Sequence, residues 1–296
     1  MNKIILILIL IIIIVLFILH IFIQLEYFDN KYDITKCDTN KKCITVLTRG
    51  YDNILSYSKL IKRNKQIDLY LINKNIDILI FHENNITIEQ QTYIKEQTPL
   101  LNIKFINILN GAFNKDKELI KFDESTNLFG LGYRHMCSFW FVDFWKFVKE
   151  YDYLIRIDED CFIDFDINII FNQLNKYIIV AGNYSSDADF VTIGLNEFTL
   201  NFINNTPEFN FKKYDKKNPG GPYSNLFGIS LCSIRDNNIL QKYINEIDKS
   251  NYIYKRRWGD LPLWGEIIYY ILGEETMLIT NEIKYFHESH NSNINC

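Results

Sequence analysis

The chain has 296 residues, of which 48% are hydrophobic and 15% aromatic, and it contains only 12 glycines and 5 prolines. This composition excludes a disordered or fibrous protein. With 36 acidic against 32 basic side chains the formal charge is −4, which argues against a nucleic-acid-binding protein because there is no basic excess to contact phosphates.

An almost unbroken apolar run covers residues 4–23. About 20 such residues in a helix match the hydrocarbon thickness of a bilayer. A cleaved signal peptide is the alternative, but its apolar core usually has about 7–15 residues and ends at small residues, which 24–28 do not offer. We predict a transmembrane signal-anchor over residues 1–24, a stem over 25–40 and one globular domain over 41–296.

The charges around the anchor predict its orientation. Lys3 precedes the run and several acidic residues follow it, so the N-terminus is expected in the cytoplasm and the domain outside the cell or in a lumen. Six cysteines without a CxxC pair agree with an oxidising compartment and give no support for a zinc site. Cys37 and Cys43 could close a short loop, with buried free thiols as the alternative.

Strands and helices alternate along the domain, which predicts a mostly parallel sheet with helices on both faces. Apolar spacing places strands at 43–48, 76–81, 103–108, 153–157 and 226–231. It places helices at 54–61, 88–96, 134–150, 238–248 and 262–272. The polar composition of residues 206–223 predicts a long surface loop, and loops of this length are often functional or mobile.

The strand at 153–157 is followed directly by Asp158, Glu159 and Asp160. In an extended chain residues i and i+2 point the same way, so Asp158 and Asp160 would present two carboxylates on one side. Two like charges at the carboxyl edge of a sheet are unfavourable unless a cation neutralises them. Carboxylate oxygens suit Mg²⁺ or Mn²⁺, and such an ion can in turn bind a diphosphate. The alternative is an acidic surface turn.

Two further segments carry polar chemistry. In 252–262, Asp260 precedes Pro262 and would act as a helix N-cap, or it would form a phosphate- and sugar-binding cluster with the neighbouring cations and aromatic rings. His287, near the C-terminus, is either an exposed tail residue or a ligand.

Together these segments resemble the fungal α-1,2-mannosyltransferases, which are type II membrane enzymes of the secretory pathway with a GT-A fold. The resemblance rests on four blocks in order: Tyr133–Cys137, Arg156–Asp160, Arg257–Pro262 and Lys284–His287. The third block matches the family's RWGD-x-P without change. In the second block the family has Glu-Pro-Asp, so here the proline is replaced by Glu159 and both outer carboxylates remain.

The resemblance implies a role for each matching residue. Asp158, Asp160 and His287 would gather around Mn²⁺, for which carboxylate and imidazole ligands are suitable. Tyr133 would contact the nucleotide, and Asp260 would lie near the acceptor hydroxyl as a candidate base.

Three arginines are candidates for the nucleotide-sugar diphosphate. Arg49 follows the first strand in a Leu-x-Arg context like that of the family, and its fork of donors suits a diphosphate. Arg156 and Arg257 are weaker candidates, because either one could simply pair with an acid.

One block departs from the family. The family carries Ser-Asn-Phe-Glu-Ile, whose glutamate is a candidate nucleophile, whereas residues 223–229 here contain no acid. Either the transfer needs no covalent intermediate, or another group such as Glu266 substitutes, or the reaction is related but different.

The sequence as a whole predicts a metal-dependent glycosyltransferase with a GT-A-like domain. The expected donor is a nucleotide sugar, GDP-mannose first, and the expected acceptor is a hydroxyl of a glycan, glycoprotein or glycolipid. The resemblance places the domain in a Golgi- or ER-like lumen. The alternatives are a membrane-anchored nucleotide-sugar- or glycan-binding protein without turnover, and a metal-dependent phosphohydrolase.

Overall fold

The computed structural model describes residues 11–17, 37, 39–73, 75–207 and 218–289. Residues 11–17 are helical, and most of the predicted anchor and stem lies outside the described residues, as do residues 208–217 of the predicted loop. Within the described ranges, the helices are all too short or too polar to cross a membrane.

A seven-stranded sheet forms the centre of the domain, in the order β10-β6-β9-β4-β1-β2-β3. β9 is antiparallel to both of its neighbours and the other pairs are parallel, which confirms the predicted mostly parallel sheet. Two small antiparallel pairs, β11-β5 and β7-β8, lie outside it. The strands are β1 Lys42–Leu47, β2 Asp77–His82, β3 Asn102–Asn107, β4 Tyr153–Ile157, β5 Cys161–Ile163, β6 Ile179–Ala181, β7 Tyr184–Ser185, β8 Gly221–Pro222, β9 Leu226–Ser230, β10 Met277–Ile279 and β11 Tyr285–His287.

The α-helices are α1 Ser58–Tyr70, α2 Ile88–Glu96, α3 Leu131–Ser138, α4 Asn168–Gln173, α5 Leu195–Asn204, α6 Leu231–Ile234, α7 Asn238–Ser250, α8 Tyr252–Arg256 and α9 Asp260–Glu266. In the described parts of the chain, 3₁₀ segments lie at Ile54–Tyr57, Lys115–Leu119, Glu124–Thr126, Phe144–Phe147, Asp189–Val191 and Glu274–Thr276. The predicted helix at 134–150 is divided, because α3 passes into the π-helical Phe139–Asp143. The predicted helix at 262–272 likewise ends in the π-helical Ile267–Leu272.

Alternate residues of the central strands face two separate hydrophobic cores. On β2, Ile78 and Ile80 pack under α1, whereas Leu79 and Phe81 pack against the aromatic segment after α3. This two-sided burial explains why the strand is a continuous apolar run rather than an alternating one. Helices therefore cover both faces of the sheet, as predicted.

The disulfide in the structure differs from the Cys37–Cys43 pairing that the sequence suggested. Cys37 is bonded to Cys232, 195 residues away, with 5.5 Å between their Cα atoms. Cys43 lies inside β1, where its side chain is buried in the sheet and is not available to Cys37. Cys43, Cys137 and Cys161 are buried free thiols, and Cys296 lies outside the described residues.

Candidate active site

The larger of two adjoining cavities lies beyond the carboxyl ends of β1, β2 and β4 and has a volume of about 460 Å³. Because these strands are parallel neighbours, the residues that follow them meet at one edge of the sheet. Thr48 and Arg49 follow β1, Glu83 follows β2, and Asp158 to Asp160 follow β4. Tyr133, Met136 and Trp140 complete the wall from α3 and the turn after it.

The smaller cavity, of about 140 Å³, shares Tyr133, Met136 and Asp158 with the larger one. Its other walls include Arg156, Asp187, Asn225, Arg257, Asp260 and His287. Eight of the nine predicted site residues therefore line one cavity or the other, and Glu266 lines neither. The two spaces meet at Asp158.

Arg156 connects two carboxylates at this junction. Its Nε and Nη2 donate to the two oxygens of Asp158 at 2.8 and 2.9 Å, and its Nη1 donates to Oδ2 of Asp260 at 2.6 Å. The guanidinium lies 4.4 Å from the ring centre of Trp140, and its side chain is only 2% exposed. Two carboxylates against one guanidinium leave a buried negative charge, which favours the approach of a cation.

The pKa values follow this arrangement. Burial opposes the charge of Arg156, but Asp158 and Asp260 raise its pKa above the ordinary value. Burial raises the pKa of Asp158, and the neighbouring guanidinium offsets only part of this effect.

Asp160 and His287 form a second pair beside the junction. His287 ends β11, which pairs with β5 and places the histidine opposite Cys161. Its Nε2 lies 3.2 Å from Oδ1 of Asp160 and 3.0 Å from the Ser289 hydroxyl. Burial alone would raise the pKa of Asp160, but the contact with His287 lowers it to about 2. The carboxylate is therefore ionised and able to bind a cation.

The residues around this pair fit a divalent metal ion. Asp160, Cys161 and His287 bring their ligand atoms within 4.8 Å of one another. Burial raises the pKa of the Cys161 thiol, which stays protonated and donates to the Asn225 carbonyl. The carboxylate and the imidazole remain as candidate ligands, a pair that would suit Mn²⁺. Asp158 lies next to them with both oxygens bound by Arg156.

Arg257 lines the smaller cavity in a strained conformation. Its φ of +65° is unusual for a residue with a side chain. Its guanidinium lies 4.3 and 4.6 Å from the ring centres of Phe129 and Tyr133, and its Nη1 contacts Asp187 at 2.5 Å. Arg156 and Arg257 both pair with acids, which is the alternative to a diphosphate-binding role given for them in the sequence analysis.

Asp260 opens α9 and is 4% exposed at the wall of the smaller cavity. Glu266, at the other end of the same helix, is fully buried, and neither of its oxygens has a hydrogen-bond partner among the described residues. The stretch 223–229 supplies no acid here: β9 is buried throughout, and Phe227 packs against Trp264.

Glu266 gives the protein a pH-dependent stability. Burial raises its pKa to about 7 from an ordinary value of 4.5, and the polar side chains of Thr199 and Asn196, which lie near it without a hydrogen bond to it, only partly oppose this. Between these values the folded chain keeps the proton and the unfolded chain loses it, so the free energy of unfolding should fall as pH rises, by about 3 kcal/mol in total. In Glu266→Gln this fall should disappear, leaving the variant more stable than wild type at pH 8.

Denaturant unfolding from pH 5 to pH 8 measures this effect. Glu96→Gln, a change at an exposed position on α2, is the matched control and should follow the wild-type curve. A wild-type pH slope retained in Glu266→Gln would mean that the folded chain does not hold this proton.

Three acidic residues of the cavity walls were not among the predicted site residues. Glu83 could have been found, because it follows a strand that was predicted and therefore falls at the same sheet edge as Arg49. Burial raises the pKa of Glu83. Asp187 carries no local signal, since its partner Arg257 is 70 residues away. Glu159 was seen only as the substitute for a proline.

Comparison with curated proteins gives relatives of one kind. The O-glycoside α-1,2-mannosyltransferase omh1 of Schizosaccharomyces pombe is 25% identical over 169 residues, which are 52% of this chain and 43% of the relative. The glycolipid 2-α-mannosyltransferase 2 of Candida albicans is 25% identical over 169 residues, 52% of this chain and 37% of the relative. The chain resembles the fungal α-mannosyltransferases. This confirms the resemblance inferred from the four blocks.

The probable mannosyltransferase KTR3 of Saccharomyces cerevisiae is 27% identical over 149 residues, 44% of this chain and 36% of the relative. The matched segment spans less than half the length of each of these three relatives. No family profile matches the chain.

Solved structures show the fold. The mannosyltransferase Ktr4p of S. cerevisiae superimposes with a TM-score of 0.67 at 17% identity, over 84% of this chain and 70% of that one. Core-mannan synthase A of Aspergillus fumigatus, in its Mn/GDP form, superimposes with a TM-score of 0.69 at 17% identity, over 87% of this chain and 78% of that one. The chain shares the fold of these two structures, which agrees with the predicted α/β domain with a mostly parallel sheet.

Proposed function

We propose that the chain is a metal-dependent glycosyltransferase that moves mannose from GDP-mannose to a hydroxyl of a glycan, glycoprotein or glycolipid. The observation that carries this proposal is the meeting of the two cavities at Asp158, between the Asp160–His287 pair and the Arg156 bridge to Asp260. The names of the relatives support mannose as the sugar. The Mn/GDP form of core-mannan synthase A supports the nucleotide and the metal.

The larger cavity would hold the nucleotide and its diphosphate. Arg49, exposed at its edge, would donate to the diphosphate, and Tyr133 would contact the nucleotide at the junction. Glu83 is two strands from Asp158, roughly 10 Å along the sheet edge, and would face the nucleoside.

Asp160 and His287 would hold Mn²⁺ or Mg²⁺, with Asp158 beside them. When bound there, the ion would neutralise charge that develops on the departing diphosphate. The guanidinium groups of Arg156 and Arg257 line the smaller cavity beside this site, and each is paired with at least one carboxylate.

The smaller cavity would hold the transferred sugar and the acceptor hydroxyl. Asp260 would take the proton of that hydroxyl, since it is the carboxylate at the start of α9 and lies on the cavity wall. Burial of Arg156 and Asp260 excludes water from this end of the site. Glu266 lines neither cavity, and the proposal assigns it no step.

We extend the proposal to the rest of the chain. Residues 1–24 would be a signal-anchor, 25–40 a stem and 41–296 the catalytic domain of a single-pass type II membrane protein with its domain in a Golgi- or ER-like lumen. The apolar run at 4–23 supports the anchor. The Cys37–Cys232 disulfide supports an oxidising lumen.

Donor specificity tests the function. The full chain in detergent is expected to release GDP from GDP-mannose in the presence of Mn²⁺, faster when a mannoside acceptor is added, and to leave UDP-sugars intact. Release of nucleoside diphosphate and mass spectrometry of the acceptor measure both halves of the reaction.

The alternatives give different results in the same assay. Binding of GDP-mannose without product on any acceptor would indicate a binding protein that has lost turnover, consistent with the acid missing from β9. Hydrolysis that ignores the acceptor and accepts other phosphate esters would indicate a phosphohydrolase.

A further inference from the structure

Glu159 connects the turn after β4 to the loop after β1. Its Oε2 accepts a hydrogen bond from the Thr48 hydroxyl at 2.5 Å, and its Oε1 accepts one from the Tyr51 hydroxyl at 2.7 Å. Both carboxylate oxygens are thus used by hydroxyl groups 108 and 111 residues away in sequence. Glu159 is not a member of the ligand group formed by Asp160, Cys161 and His287 in the described chain.

The loop that Glu159 binds carries Arg49. The Arg49 guanidinium lies 5.1 Å from the ring centre of Tyr51, so the position of this ring supports that of the arginine. The Tyr51 backbone is also fixed, because its N–H donates to the Tyr57 hydroxyl at 3.0 Å and its carbonyl accepts from Nε2 of Gln90 at 2.7 Å.

Glycine at position 50 tightens this loop further. A Cβ at Gly50 would lie 2.3 Å from the carbonyl oxygen of Asn85, so the loop is pressed against the segment after β2. These contacts attach the loop to α2 and to the end of β2. The two hydrogen bonds to Glu159 attach it to the acidic turn.

We propose that Glu159 is a positioning residue that couples metal binding at the acidic turn to donor binding at Arg49. This inference rests on the proposed function. A proline at this place would stiffen the turn by fixing φ but would make no contact across the cavity. Glu159 instead links the acidic turn to the loop of Arg49 through two hydrogen bonds. Binding of the metal at the turn would therefore favour the loop position that binds the donor. By linkage, donor binding would favour metal binding to the same degree.

Glu159→Ala in the full chain tests the link by calorimetric titration with Mn²⁺ alone, and with GDP in the absence and presence of Mn²⁺. In wild type, Mn²⁺ should strengthen GDP binding. In the variant, GDP affinity in the presence of Mn²⁺ should fall about 10- to 100-fold, the range expected for lost hydrogen bonds to a charged group, with Mn²⁺ affinity unchanged. The KM for GDP-mannose should rise more than kcat falls.

Three variants make the result specific. Tyr51→Phe keeps the ring beside Arg49 and removes one hydrogen bond, so it should show a smaller loss in the same direction. Glu159→Gln keeps one acceptor oxygen and should lie between wild type and Glu159→Ala. Glu96→Ala, which removes an exposed carboxylate on α2, is the matched control and should behave as wild type.

Loss of Mn²⁺ affinity itself in Glu159→Ala would make Glu159 a metal ligand and overturn the inference. GDP binding that responds to Mn²⁺ as strongly in Glu159→Ala as in wild type would also overturn it. A wild-type chain that binds no GDP would contradict the proposed function, and the inference with it.

Discussion

Replacing Asp160 with asparagine is expected to remove Mn²⁺ binding and mannosyl transfer together. The amide keeps the shape of the side chain but not the charge that His287 stabilises at 3.2 Å. Mn²⁺ affinity should fall at least about 100-fold. Loss of a residue that only hydrogen-bonds to a metal ligand already lowers metal affinity about 10- to 100-fold. Calorimetric titration with Mn²⁺ and release of GDP from GDP-mannose measure the two effects.

Asp164→Asn is the matched control for this change. Asp164 is four residues along the chain, exposed, and bound by the Tyr70 hydroxyl away from the cavities. It should keep both Mn²⁺ affinity and turnover, and thermal unfolding should show that both variants are folded. If Asp160→Asn retained Mn²⁺-dependent transfer, the ion would be held by other residues than the Asp160–His287 pair.

Five of the seven strands in the central sheet were predicted from apolar runs, whereas the short strands β6 and β10 were not. β1 and β4 were recognised in this way, and with them the sheet edge at which Arg49 and Asp158 lie. The direction of β9 was not predictable. Its composition suits a strand running either way, and only its insertion between β4 and β6 makes it antiparallel.

The contacts of the site were less predictable than its residues. The four sequence blocks named Arg156, Asp260 and His287, but not which partners they have. The Arg156–Asp260 bridge spans 104 residues and the Cys37–Cys232 disulfide spans 195. Such pairings depend on how the sheet brings distant segments together, and residue type alone gives each arginine several acids to choose from.

Replacing Arg156 with methionine is expected to be the most disruptive single change at the site. It leaves the buried carboxylate of Asp260 and the partly buried carboxylate of Asp158 without their shared cation. Removing one partner of a buried ion pair costs about 3 to 5 kcal/mol, because the remaining charge is uncompensated. Denaturant unfolding at pH 7 should show a loss of that size, and transfer activity should be lost.

Three comparisons distinguish this charge effect from simple loss of packing. Arg256→Met, which breaks a 3.9 Å contact between partly exposed side chains, should cost no more than about 1 kcal/mol. In Arg156→Met, adding Asp260→Asn should recover part of the stability, because it removes one of the two uncompensated charges.

Mn²⁺ should stabilise Arg156→Met in thermal unfolding, because a cation near the junction replaces part of the lost positive charge. If neither Asp260→Asn nor Mn²⁺ restored stability, the loss would come from the packing of Arg156 against Trp140 rather than from the buried carboxylates.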